Sequence, residues 1–160
     1  MDVMVPGTSV VAKREILAIP FFGQAFWLTG HLLINRKNHK TAVEAINALS
    51  GVVAENDLSI WIWPEGTQPK DGRLLPFKLG FVHMAVACGL PVVPLVAHDA
   101  HVRNPARSRT LRPGTLRVDV LDPIDTSSWS HDTARQHAED VHALFVQHLA
   151  EHQRPLPADG

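Results

Sequence analysis

Residues 58–80 have the sequence LSIWIWPEGTQPKDGRLLPFKLG. The first six residues form an apolar run, which predicts a buried strand. Pro64 and Gly66 end this run and begin a polar loop. A second apolar run starts at Phe77 and favours a helix that ends before Gly89. We therefore expect a buried strand, a polar loop and a helix in succession.

Strands and helices alternate in the same way along the rest of the chain. The predicted strands are Ser9–Ala12, Leu32–Asn35, Leu58–Trp63, Leu90–Ala97 and Leu116–Leu121, and the predicted helices are Ile19–Leu28, a helix from Thr41 to Val53, Phe77–Cys88 and Thr133–His152. This alternation predicts the α/β fold class, with a mostly parallel central sheet flanked by helices. The length of 160 residues and the hydrophobic content of 45% fit one domain. We place it at residues 1–153, before a flexible tail at residues 154–160.

The overall charge is nearly balanced, with a formal net charge of −1. Because no global field attracts the chain to nucleic acid or anionic lipid, any such attraction must be local, and we expect no nucleic-acid partner. Five of the ten arginines nevertheless lie between residues 103 and 117. A solvated loop and a local binding surface are both open interpretations of this cluster.

The ten histidines do not predict a metal site. His98 with His101, and His148 with His152, have the spacings that best suit a shared ion. Neither pair has a convincing third ligand nearby in the sequence, and histidines on a loop or on the polar face of a helix are ordinary. We therefore expect no metal.

Residues 16–34 contain no charged side chain and approach the length of a membrane span. Pro20 and Gly23 interrupt the apolar character, so we interpret the segment as a packed or interfacial helix followed by a strand. It also carries four aromatic side chains, at Phe21, Phe22, Phe26 and Trp27. Contact with a membrane interface and packing in the core both stay open for this group.

Four blocks of the chain resemble, in order and spacing, conserved regions of the glycerolipid acyltransferases, in particular the bacterial 1-acyl-glycerol-3-phosphate acyltransferases. Trp63–Thr67 (WPEGT) is similar to the family's Phe-Pro-Glu-Gly-Thr-Arg block, and Gly30–Arg36 (GHLLINR) is similar to its second region. Leu90–Pro94 (LPVVP) resembles the fourth region, and Asp122–Asp125 (DPID) resembles a later feature. The resemblance covers most of the chain and implies an α/β fold like that of glycerol-3-phosphate acyltransferase.

The resemblance implies an O-acyltransferase of the 1-acylglycerol-3-phosphate type. Such an enzyme transfers a fatty acyl group from acyl-CoA or acyl-carrier protein to the free hydroxyl of lysophosphatidate, giving phosphatidic acid in phospholipid biosynthesis. The thioester is a co-substrate, and no further cofactor is implied. The lipid acceptor implies that the protein acts at the cytoplasmic face of a membrane. It would be a peripheral protein there, or one anchored by an N-terminal segment outside this sequence.

Matching the binding blocks position by position assigns acceptor binding to four residues: Arg36, Glu65, Gly66 and Thr67. In the family, cationic groups hold the acceptor's phosphate. Lys78, at the predicted helix start, is a further candidate ligand for that anion. From local sequence alone, a tight turn in which Glu65 caps a neighbouring helix is the alternative interpretation.

The catalytic block of the family, Asn-His-x-x-x-x-Asp, has no match in this sequence. There the histidine is the general base for the acceptor hydroxyl, and the aspartate orients it. No histidine here precedes an aspartate at that spacing, so we expect the histidine upstream of Met1, with Asp2 a candidate for the aspartate. His39 with Glu44 has the spacing but follows the second block instead of preceding the first.

Gln68 stands where the family usually has arginine, which removes a fixed charge from the expected phosphate site. Arg73 or Lys78 would compensate for this loss, or the acceptor is a different one. Two alternatives to the leading hypothesis stay open. One is an acyltransferase for another lyso-lipid acceptor, and the other is a non-catalytic glycerolipid-binding module or pseudoenzyme.

Overall fold

The computed structural model describes residues 8–13, 28, 32–34, 50, 51, 53, 55, 56, 58–106, 108 and 110–156. The chain forms two compact units, residues 1–62 and residues 63–160. The single domain expected over residues 1–153 stays a prediction. Most of the helices predicted at Ile19–Leu28 and from Thr41 to Val53 lies outside the described residues.

The first unit contains a parallel three-stranded sheet. Its strands are β1 (Thr8–Lys13), β2 (Leu32–Ile34) and β3 (Ser59–Trp61), in the order β2-β1-β3. Val11 is opposite Leu32, and Thr8 is opposite Ser59. Parallel neighbours require a crossover connection between consecutive strands, and the long intervals between these strands provide the length for one.

The second unit combines helices with an antiparallel strand pair. Its elements are α1 (Gly80–Cys88), β4 (Leu95–His98), α2 (Ala100–Arg103), β5 (Arg117–Val120), α3 (Ala134–His148) and a final 3-10 turn (Glu151–Gln153). Helix α1 ends at Gly89, whose φ of 63° is left-handed and whose N–H bonds to the Ala85 carbonyl, as the sequence predicts. Helix α3 ends at His148, four residues before the predicted end.

The core of the second unit lies where α1 packs on α3. The buried side chains on the two helices are Phe81, Val82, Met84, Ala85, Ala134, Ala138 and Val141. Phe77, just before α1, meets Phe145 of α3 edge to face with ring centroids 5.1 Å apart. Among the described residues, no helix is long and apolar enough to cross a membrane.

The strands β4 and β5 depart from the expected parallel pattern, because they pair antiparallel, with His98 opposite Arg117. In the described part of the connection that joins them, the one regular element is the four-residue helix α2, and an antiparallel pair needs no crossover helix. Beyond the pair, Val92 and Ile124 exchange two backbone hydrogen bonds, of 3.1 and 2.8 Å. The Leu90–Pro94 and Asp122–Asp125 blocks are therefore neighbours in the fold.

Candidate active site

The loop that carries the WPEGT block, residues 63–79, is called the site loop below. It begins with a tight turn in which the Gly66 N–H donates to the Trp63 carbonyl over 3.1 Å. Gly66 has a φ of 71°, a conformation that a residue without a Cβ adopts at little cost. The Lys78 N–H then donates to the Pro64 carbonyl over 2.8 Å, which closes the loop. The backbone thus brings Glu65, Gly66 and Lys78 to one place.

Glu65 is half-buried in this loop, and its Oε2 accepts the Leu75 N–H over 2.8 Å. Burial raises the pKa of Glu65, and the Leu75 N–H opposes this shift by favouring the ionised form. The tight turn of the alternative interpretation is present, but the carboxyl bonds to a loop N–H and not to a helix terminus, so only its helix-cap part is wrong. Chemically, a carboxylate in this position can accept a hydrogen bond from a ligand hydroxyl but repels a phosphate.

Thr67 and Lys78 are exposed on the same loop. Lys78 lies two residues before α1, not within it, because the helix begins at Gly80. The N-terminus of α1 has no side-chain cap and no acidic residue in its first turn. An ammonium group beside the positive end of a helix dipole favours an anion such as a phosphate.

Of the two cations that could compensate for Gln68, only one has a free side chain. Arg73 donates from Nη1 to the Arg154 carbonyl over 2.9 Å, and its Nε lies 3.9 Å from the Asp71 carboxylate. Within the part of the chain that the structure describes, the Lys78 ammonium has no hydrogen bond or ion pair. Gln68 itself donates from Nε2 to the Asn104 carbonyl over 2.6 Å. Lys78 is therefore the better candidate for the missing charge.

Two other predicted site residues, Asp2 and Arg36, lie outside the described residues, as do His39 and Glu44. Their roles stay predictions, and so do the binding roles of Glu65–Thr67 and Lys78.

Three of the four histidines selected by spacing bond to other groups of the protein. His98 bonds through Nε2 to Asp119 over 2.8 Å, and His152 bonds through Nε2 to Asp99 over 2.7 Å. His148 bonds to the Leu144 carbonyl of its own helix. Over the described residues, no three metal-ligating side chains form a group that could hold an ion.

The His98–Asp119 pair was not foreseen, because it depends on the register of β4 and β5. His98 lines a cleft of about 420 Å³ together with Asp99, Arg103 and Arg117. A histidine held by a carboxylate is the arrangement of a general base. Here, however, Arg117 donates to both oxygens of Asp119 over 2.9 Å, and this contact lowers the pKa of Asp119 more than His98 does. Since Arg117 already neutralises the carboxylate, we interpret the group as an ion pair within β5 to which His98 of β4 is hydrogen-bonded.

A family model described as Acyltransferase matches residues 3–98, so the chain belongs to this acyltransferase family. It is 42% identical over 154 residues to a 1-acyl-sn-glycerol-3-phosphate acyltransferase from Cocos nucifera, an alignment that covers 96% of this chain and 50% of the relative. The corresponding Escherichia coli K12 protein is 38% identical over 154 residues, covering 94% of this chain and 60% of the relative. The resemblance on which the sequence analysis rests is confirmed.

One solved structure gives a similar result. The crystal structure of the 1-acyl-sn-glycerophosphate (LPA) acyltransferase PlsC from Thermotoga maritima superposes with a TM-score of 0.64 at 27% identity. The match covers 86% of this chain and 54% of that one, and it shows that the two share an α/β acyltransferase fold. The chain spans about half the length of the curated relatives it matches.

Proposed function

We propose that this chain serves the transfer of a fatty acyl group to the free hydroxyl of 1-acyl-glycerol-3-phosphate, which gives phosphatidic acid. The observation that carries the proposal is the 42% identity, over 96% of the chain, to a relative named for this activity. The acyl donor is a thioester of coenzyme A or of acyl-carrier protein. Attack of the acceptor hydroxyl on the thioester carbonyl forms the new ester and releases the thiol.

The residues of the site loop suit different chemical groups of the acceptor. Glu65 suits the glycerol hydroxyls, since a carboxylate accepts O–H donors and repels phosphate. Lys78, two residues before α1, suits the phosphate, and the family resemblance assigns acceptor binding to Arg36 as well. Gly66 leaves the backbone open beside Thr67, whose exposed hydroxyl adds a neutral donor. By the family resemblance, the acceptor's proton would pass to the histidine of an Asn-His-x-x-x-x-Asp block.

The finer description of the fold and location belongs to the same proposal. The three parallel strands of the first unit support the finer proposal of a mostly parallel sheet flanked by helices. A lipid acceptor would place the protein at the cytoplasmic face of a membrane, as a peripheral or anchored protein.

The test is acyl transfer from radiolabelled acyl-CoA to lysophosphatidate, measured with this chain and with a longer in-frame form that contains a His–Asp block. Lys78→Ala should raise the KM for lysophosphatidate by about tenfold, because a charge-assisted hydrogen bond to the phosphate is lost. Lys70→Ala is the matched control, since Lys70 is also exposed in the same loop. Equal KM values for the two variants would contradict the role of Lys78.

Glu65→Gln separates acceptor binding from a purely structural role. The amide oxygen of glutamine still accepts the Leu75 N–H, so the loop is kept while the charge is lost. We expect a raised KM without a loss of stability, and Glu139→Gln, at an exposed position of α3, should change neither. An unchanged KM would leave Glu65 with a structural role only.

A different lyso-lipid acceptor is the second candidate, and the geometry of Gln68 favours it. Because that amide bonds to the Asn104 carbonyl, the position provides no charge for a phosphate. A screen of lyso-lipids with other headgroups in the same assay decides between the acceptors. Saturable binding of lysophosphatidate, with no transfer by either form of the protein to any acceptor, would instead indicate a non-catalytic module.

A further inference from the structure

The segment from Arg103 to Arg117, called the basic loop here, is the most positively charged part of the chain. Residues 100–118 contain five arginines and no aspartate or glutamate, in a chain whose formal net charge is −1. The positive charge is therefore concentrated in one connection, between α2 and β5. Neither the site loop nor the proposed chemistry makes use of it.

The basic loop also exposes apolar side chains. Every residue from 110 to 117 is exposed. Leu111 is 74% exposed and Leu116 is 45% exposed, on either side of a turn at Pro113-Gly114. The Arg117 side chain is 72% exposed. Large exposed apolar side chains beside exposed cations are typical of a binding surface that needs both.

Two hydrogen bonds with Arg103 stabilise this turn. The Arg112 N–H donates to the Arg103 carbonyl over 2.8 Å, and Arg103 donates from Nη1 to the Pro113 carbonyl over 3.0 Å. A Cβ on Gly114 would overlap the Arg103 guanidinium, so this guanidinium packs directly against the turn. With Arg103 occupied in this way, the loop presents Leu111, Arg112 and Leu116 outward.

We propose that the basic loop is a docking surface for an anionic lipid bilayer. Leu111 and Leu116 would enter the boundary between headgroups and acyl chains, while Arg112 meets lipid phosphates. Arg117 contributes less, because its guanidinium also bonds to Asp119. The two exposed leucines beside an exposed arginine favour a bilayer, since it offers negative charge and an apolar layer side by side. The inference deepens the proposed function, because it names the surface through which a protein with a lipid acceptor would meet the membrane.

The test is cosedimentation of the full chain with vesicles of phosphatidylcholine, alone or mixed with anionic phosphatidylglycerol. The native chain should bind the mixed vesicles more strongly, and added salt should weaken this binding. The double variant Leu111→Ser with Leu116→Ser should lower the partition coefficient by about tenfold or more, through lost apolar contact. Arg112→Gln should lower it by about fivefold at low salt.

Two matched controls make the result specific to the loop. Leu156→Ser removes a leucine that is 68% exposed outside the loop, and Arg135→Gln removes an exposed arginine on α3. Both should bind vesicles like the native chain, and circular dichroism verifies that every variant is folded. Equal vesicle binding by native and loop-variant chains, or no preference for anionic lipid, would overturn the proposal.

An acidic protein is the other partner that matches the charge, and one arm of the experiment addresses it. If the loop variants keep vesicle binding but lose binding to an acidic acyl-carrier protein, the surface is a protein interface and the membrane proposal is wrong. Binding is measured without turnover, so it can succeed when acyl transfer fails. Conversely, an active form could transfer acyl groups to detergent-dispersed lysophosphatidate while the loop variants bind vesicles like the native chain. That outcome would retain the proposed function and reject the membrane-docking proposal.

Discussion

The site loop and the basic loop belong to the same unit and use similar polar residues in opposite ways. In the site loop, Glu65 and Arg73 bond to backbone groups of Leu75 and Arg154. These two charged side chains therefore stabilise the backbone of the protein itself. In the basic loop, one arginine holds the turn and the exposed side chains face solvent. Charged residues in a sequence therefore do not reveal whether their side chains bond to the protein's own backbone or face solvent. Substitutions in the site loop should therefore lower the free energy of unfolding, and substitutions of exposed residues in the basic loop should hardly change it.

The largest expected effect on stability is that of Gly72→Ala in the site loop. Gly72 has a φ of 78°, and a Cβ there would overlap the ring of His101. Left-handed strain and the overlap together should cost about 2–4 kcal/mol in the free energy of unfolding, measured with urea. Gly80→Ala is the control, since no atom lies within 4 Å of the added Cβ, and its effect should stay within about 0.5 kcal/mol. Equal effects would show that the site loop does not depend on this close approach.

Glu65→Leu should have the next largest effect. It removes the acceptor of the Leu75 N–H and should lower the free energy of unfolding by about 1–2 kcal/mol, whereas Glu65→Gln keeps an acceptor. Urea unfolding of both variants gives the comparison. A loss of the same size in Glu65→Gln would mean that the charge, and not the hydrogen bond, holds the loop.

The pH dependence of stability should show a smaller effect of the same residue. Burial raises the pKa of Glu65 above its ordinary value of 4.5, so just above that pH the folded carboxyl keeps a proton that the unfolded chain has released. The folded state then binds more protons, and the free energy of unfolding falls as pH rises through this window. Glu65→Gln should remove this fall, as seen in urea curves across the range. A difference between native and variant that is constant with pH would contradict the shift.

The smallest effect is expected in the basic loop. Leu111→Ser with Leu116→Ser should change the free energy of unfolding by no more than about 0.5 kcal/mol, because the side chains are exposed in the folded protein as well. Thermal and urea unfolding measure it. A loss above about 1 kcal/mol would mean that the leucines pack, and the contrast between the two loops would fail.

The recognisable family blocks predicted more of the site than local patterns did. The WPEGT block located the site loop, and α1 ends at Gly89 as its left-handed cap predicts. The exact start of α1 was missed, which moves Lys78 from the helix into the loop before it. The antiparallel pairing of β4 and β5 was also missed, because strand direction depends on the path of the connection and not on the apolar run itself.

The sequence by itself determined the alternation of strands and helices, the family and the position of the polar loop, because apolar periodicity and motif spacing are properties of neighbouring residues. Only the tertiary structure decided which partner each charged group has. Glu65 meets Leu75, Arg73 meets Arg154 and His98 meets Asp119 across separations of 10, 81 and 21 residues. The physical reason is that a hydrogen bond forms only within about 3 Å, and packing of the whole chain sets distances on that scale.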